Sequence, residues 1–160
     1  MKELIIMRHG LALSAQESGP RGDAGRKLSE DGEVQIEISS KRLEELGVSP
    51  GVIISSPFLR AVETADIAAK HFPAARRVIE PALISMAPLS DIINSIAKAA
   101  AGEPSALVIG HQPTLGSLCG LLLKADSPHF STGCFARLKC SDGPGYEKAE
   151  LAEFFTPESF

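Results

Sequence analysis

The chain has 160 residues, enough for one domain with a sizeable core. A net charge of −4 argues against nucleic acid or an acidic membrane surface as partner, and no apolar run approaches the roughly 20 residues of a membrane span. The start of the chain lacks a signal-peptide layout, so a cytoplasmic protein is expected. Cys119, Cys134 and Cys140 are odd in number and match no zinc spacing. They read as small core residues in a reducing compartment.

Leu4-Ile5-Ile6-Met7 is a short, continuously apolar run, expected to be a buried strand over residues 3–7. Arg8, His9 and Gly10 follow at its end. Residues 10–28 are glycine-rich and aperiodic, which predicts a long loop rimming whatever site lies at His9. Asp23 and Arg26 within it are candidate rim residues, although on pattern alone they read as solvated charges. Ser29, followed by Glu30, Asp31 and Glu33, predicts a helix start, with Val34, Ile38, Leu43 and Leu46 on one face and Gly47 as the stop. Val52-Ile53-Ile54-Ser55 predicts the second strand. Ser56-Pro57 opens a helix to about His71, with Leu59, Val62, Ala65, Ile67 and Ala69 as its apolar positions. Arg60 in its first turn opposes the helix dipole, a cost that a bound anion would relieve.

Residues 76–79 predict a third strand, and 80–89 a loop. Ser90 is placed to cap a helix over about 91–101, ended by Gly102 and Pro104. Ala106 to Gly110 predicts the fourth strand, with His111 at its end and Pro113 opening a helix that carries Leu115, Leu118, Cys119, Leu122 and Leu123. Residues 134–140 alternate, 141–145 are turn-rich and 147–155 can return as a strand, which makes a hairpin at the sheet edge. Strands alternating with helices predict a three-layer α/β/α domain over 1–160, with a mainly parallel sheet and a C-terminal antiparallel hairpin.

Three strand ends therefore deliver Arg8, His9, Arg60 and His111 to one edge, where open sheets bind ligands. Two guanidiniums can hold a phosphoryl group, and nearby cations favour the neutral imidazole that attacks phosphorus. No phosphate-cradling glycine loop and no paired carboxylates for Mg²⁺ are present, so neither a metal nor a cofactor is called for.

Met7-Arg8-His9-Gly10, Ser55-Ser56-Pro57-Phe58-Leu59-Arg60-Ala61 with Thr64, and Val108-Ile109-Gly110-His111-Gln112-Pro113 together resemble the histidine phosphatase superfamily. Asp23, Arg26, Leu28, Ser29 and Gly32 are similar to its small SixA-type branch, the phosphohistidine phosphatases. The resemblance implies a phosphoglycerate mutase-like fold. It implies that His9 is a nucleophile that becomes transiently phosphorylated, and that Arg8, Arg60 and His111 complete the phosphate pocket. Relatives carry a general-acid carboxylate after the third strand; here Leu83-Ile84-Ser85-Met86-Ala87 has none, and neither Glu80 nor Asp91 has a register that brings it to the site. An alkoxide needs a proton to leave, whereas the imidazole of a phosphohistidine leaves more readily, so the expected substrate is a phosphohistidine-bearing protein. A small-molecule phosphomonoesterase and a phosphohistidine-binding module with little turnover are the alternatives.

Overall fold

In the computed structural model residues 1–126, 128–140 and 149–157 are described. They form one sheet in the order β3-β2-β4-β1-β5-β6. Its strands are β1 (Glu3–Arg8), β2 (Val52–Ser55), β3 (Arg76–Ile79), β4 (Ser105–Gly110), β5 (Phe135–Cys140) and β6 (Ala149–Phe155). The first four are parallel; β5 runs antiparallel to β1, and β6 antiparallel to β5. The mainly parallel sheet with a terminal antiparallel pair is thus present, while the expected turn at 141–145 and residues 147–148 lie outside the described residues.

Parallel strands are unbroken apolar runs because both of their faces are covered. Leu4 and Ile6 of β1 join Ile54 and Val108 under α4 (Leu89–Ala99) and α5 (Thr114–Leu123). Ile5 and Met7 point the other way, with Ile53, Leu107 and Ile109, under α2 (Glu30–Glu45) and α3 (Leu59–His71). No described helix is long and apolar enough to cross a membrane. Cys119 and Cys134 are buried, Cys140 is partly so, and all three are free thiols.

Several local expectations need correction. Residues 10–28 are not plain loop: they contain α1 (Ala15–Ser18), with a Ser14–Glu17 capping box, and a 3-10 turn, Asp23–Gly25. An Ala12–Leu28 bridge and the Leu13 N–H to Lys27 carbonyl bond (2.8 Å) close the base of this excursion. Ser29 does cap α2, but the buried face is Gly32, Ile36, Ser39, Ser40 and Leu43, while Val34 is exposed. In α3 the buried positions are Arg60, Ala61, Thr64, Ala65 and Ala68, not the larger Leu59, Val62 and Ile67. Both helices put small residues inward where they approach their neighbours closely, with Ile36 and Leu43 of α2 filling the core beside them. Phe58 is the N-cap of α3, which leaves Pro57 outside the helix. α4 starts at Leu89 behind Pro88, so Ser90 lies inside its first turn instead of capping it. Residues 80–89 also hold a 3-10 turn, Pro81–Ile84.

Candidate active site

The register of the central strands builds the site. Arg8 at the end of β1 lies beside Gly110 at the end of β4, so His9 and His111 leave the sheet side by side. Their ring centroids are 5.0 Å apart. β2 flanks β4 with Ser55 opposite Ile109, so the Ser56–Arg60 segment rises next to both. Arg8, His9, Arg60 and His111 therefore meet at one edge.

His9 is held in one tautomer. Its Nδ1 lies 2.7 Å from the Gly10 carbonyl oxygen, which can only accept, so Nδ1 carries the proton. Nε2 keeps its lone pair, and the Arg60 Nε–H is directed at it from 3.4 Å. The Gly10 peptide is itself fixed, because its N–H donates to Thr64 Oγ1 (3.1 Å) while that hydroxyl donates to the Arg60 carbonyl (2.7 Å). Burial pulls the His9 pKa down to about 3, with His111, Arg60 and Arg8 adding to it against the Gly10 hydrogen bond. The sequence reading credited the arginines; desolvation is the larger cause.

His111 shares a 2.7 Å hydrogen bond between its Nε2 and Ser56 Oγ, which also accepts from the Phe58 N–H (3.1 Å). The Phe58 ring meets His111 at 68° and 5.3 Å, and the Arg60 guanidinium lies 5.1 Å from the same ring. Burial first, then Arg60 and Arg8, lower His111 to about 4, with Asp23 opposing. Arg8 donates from NH1 to the Phe130 carbonyl (2.9 Å). Among the described residues, Arg8 Nε and His111 Nδ1 are buried without a hydrogen-bond partner, which leaves two polar atoms of the cluster uncommitted.

Asp23 is more than a solvated charge. Its backbone oxygen accepts from Arg60 NH1 (2.8 Å) and its carboxylate from Arg60 NH2 (3.3 Å). Arg26 reaches the other carboxylate oxygen (3.4 Å) and donates from Nε to the Leu13 carbonyl (2.8 Å). Burial would raise the Asp23 pKa, but Arg60 and Arg26 outweigh it and hold the carboxyl below its ordinary range. Glu80 spends an oxygen capping its own 3-10 turn at the Ala82 N–H (3.0 Å), and Asp91 lies in the first turn of α4. Among the described residues, Asp23 supplies the one carboxylate hydrogen-bonded to any of the four core residues.

Sequence reasoning quoted Ser56, Phe58 and Thr64 within the motif around Arg60 without giving them a part in the site, and it did not single out Phe130. The part Thr64 plays was findable, since it lies one turn after Arg60 on the same face. Phe130 was not, because 122 residues separate it from Arg8. The assembled groups can bind a tetrahedral oxyanion and present a neutral imidazole nitrogen to it. Among the described residues, no group of three or more His, Cys, Asp and Glu side chains could hold a metal ion.

The profile of the histidine phosphatase superfamily (branch 1) matches residues 4–88, which contain Arg8, His9 and Arg60. An uncharacterized protein of Picosynechococcus sp. is 31% identical over 115 residues, covering 71% of this chain and 68% of that protein. The mitochondrial serine/threonine-protein phosphatase Pgam5 of Drosophila ananassae is 41% identical over 70 residues, 44% of this chain but only 23% of that longer protein. Among solved structures, the protein histidine phosphatase SixA complexed with tungstate superposes with a TM-score of 0.83 at 23% identity, covering 97% of both chains. The alpha-ribazole phosphatase of Shigella flexneri gives 0.72 at 16% identity, over 93% of this chain and 94% of that one. A phosphoglycerate mutase of Plasmodium falciparum gives 0.69 at 23% identity, over 98% and 91%. These superpositions show a shared phosphoglycerate mutase-like fold. With the profile covering more than half its length, the chain belongs to the histidine phosphatase superfamily (branch 1).

Proposed function

We propose that this protein is a phosphohistidine phosphatase acting on a phosphorelay or phosphocarrier protein, with His9 as the nucleophile. The observation that carries the reading is the His9 tautomer: Nδ1 is tied to the Gly10 carbonyl, and a neutral Nε2 lone pair faces Arg60. Arg8, Arg60 and His111 hold the phosphoryl oxygens. The Nε2 lone pair forms a P–N bond as the substrate's own P–N bond breaks, and the departing imidazole takes a proton from water. A water oxygen then attacks phosphorus, the bond to Nε2 breaks, and inorganic phosphate leaves. Catalysis of this kind is mostly positioning and charge stabilisation, which this cluster supplies.

Two features support a protein-borne phosphohistidine. The carboxylate bonded to the site, Asp23, is ion-paired and held ionised, which makes it a poor proton donor to an alkoxide. Only a 3-10 turn and α4 lie between β3 and β4, so little chain is present there to roof over a small substrate. The likeness to SixA agrees with both. A phosphate ester is the second reading, favoured by the likeness to the alpha-ribazole phosphatase and to Pgam5.

Phosphate release from a phosphohistidine-bearing carrier protein and from an aryl phosphate, measured side by side, decides between them. Fast release from the protein, slow release from the ester, and loss of both in His9→Ala are expected, with a phosphorylated His9 trapped at alkaline pH. The reverse preference would establish the ester reading. A phosphoenzyme that forms but never turns over would make the protein a binding module.

A further inference from the structure

Arg60 is buried at 7% exposure, yet its guanidinium is already occupied from the outer side. NH1 donates to the Asp23 backbone oxygen at 2.8 Å, and NH2 to the Asp23 carboxylate at 3.3 Å. The Nε–H faces His9 Nε2 at 3.4 Å. A guanidinium has five N–H groups, so these contacts leave one on each terminal nitrogen for a phosphoryl oxygen. The second oxygen of the same carboxylate holds Arg26 NH1 at 3.4 Å. Asp23 is thus an anion bridging two cations at the mouth of an anion site.

Its position is well supported. The excursion that carries it is closed at its base by the Ala12–Leu28 bridge. Gly22, at φ +68°, turns the chain into the 3-10 turn, a conformation that a side chain would strain. The Arg26 N–H closes that turn on the Asp23 carbonyl at 3.2 Å. A carboxylate held there competes with any free oxyanion for Arg60 and offsets the charge that would retain it.

We propose that Asp23 is a positioning residue that keeps the pocket from retaining its product: it fixes the pose of Arg60 while weakening the hold on free phosphate. This rests on the pocket being a phosphoryl site. A phosphoryl group bonded to His9 is kept by its covalent bond and needs no further affinity. Once water has cleaved that bond, the phosphate dianion is held by charge and hydrogen bonds alone, and the Asp23 carboxylate then speeds its departure.

The test is binding of inorganic phosphate, by calorimetry and as product inhibition, to the wild-type chain and to Asp23→Asn. Asparagine keeps an oxygen to accept from NH2 and removes the charge. Asp23→Asn is expected to bind phosphate about fivefold more tightly, with the gap narrowing as salt is raised. Asp23→Ala, which also frees the guanidinium to move, is expected to gain less. Equal or weaker phosphate binding by Asp23→Asn would overturn the proposal. That is the direction a merely structural role predicts, since loosening Arg60 can only lose affinity. The phosphate arm needs no phosphoprotein, so it stands apart from the test of substrate class: a chain that bound phosphate as expected but spared phosphohistidine would lose the latter reading alone.

Discussion

At the scale of single residues, the site depends on which nitrogen of His9 carries a proton. An imidazole with its ordinary pKa of about 6.5 would be partly protonated, hence blocked, in mildly acidic conditions. Burial and the neighbouring cations remove that restriction, taking His9 to about 3 and His111 to about 4. Histidine ¹⁵N NMR titration reads this directly. Both rings are expected to stay neutral from pH 8 to pH 5, with His9 Nδ1 protonated and Nε2 bare. His71 is expected to behave in the opposite way. Burial would lower its pKa, but Glu44 and Glu37, which face its two ring nitrogens, raise it above the ordinary value. A His9 transition near pH 6.5, or a proton on Nε2, would remove the neutral Nε2 lone pair that the proposed function requires of His9.

At the scale of elements, the close packing of α2 against the end of β1 is what holds the His9 backbone in place. A Cβ on Gly32 would lie 2.1 Å from the Leu11 carbonyl oxygen, and one on Gly10 would lie 2.7 Å from the Gly32 oxygen. Helix propensity alone makes Gly32→Ala stabilising by about 1 kcal/mol. The contact reverses that sign, because a backbone atom must move and the Gly10–Leu11 segment moves with it. Gly32→Ala is expected to lose about 2 kcal/mol in urea unfolding and at least tenfold in activity, since the Gly10 carbonyl sets the His9 tautomer. A more stable, fully active variant would show that the helix end yields freely. This packing also explains what was legible in the chain. Ser29 as a cap and the strand cores were readable, because capping chemistry and continuous apolar runs are local signals. The buried faces of α2 and α3 were legible only in part: the pattern named Leu43 and Ala65, which are buried, but bulk also pointed to Val34 and Ile67, whereas Gly32, Ser39 and Ala61 face inward because smallness permits the approach. The rim helix Ala15–Ser18 was hidden in the same way, its capping box lying among glycines that read as loop.

At the scale of the whole molecule, the strand order was not readable, since β1 pairs with β4 and β5 across more than a hundred residues. That Arg8, His9, Arg60 and His111 share an edge was readable, because parallel strands send all their carboxyl ends the same way. The consequence of this gathering is a pH-dependent stability. In the unfolded chain His9 and His111 take up protons as pH falls through about 6.5, but in the fold they do so only near 3 and 4. Between those limits the unfolded state binds more protons, so stability falls with falling pH, by up to about 1.4 kcal/mol per pH unit for each histidine. Below about 4 only His9 still contributes. His71 acts with the opposite sign. Its folded pKa is raised, so the stability from its pairing with Glu37 and Glu44 is fully present below pH 6.5 and is lost as pH rises through the folded value. That loss is under about 1 kcal/mol, because solvent screens the partners. Urea midpoints measured from pH 4 to pH 9 are therefore expected to peak near neutrality, with a steep acid side and a shallow alkaline side. Replacing His9 and His111 together by Gln is expected to flatten the acid side, and His71→Gln the alkaline side alone. An acid side that survives the double replacement would assign acid unfolding to carboxylates and leave the two site histidines without a share in it.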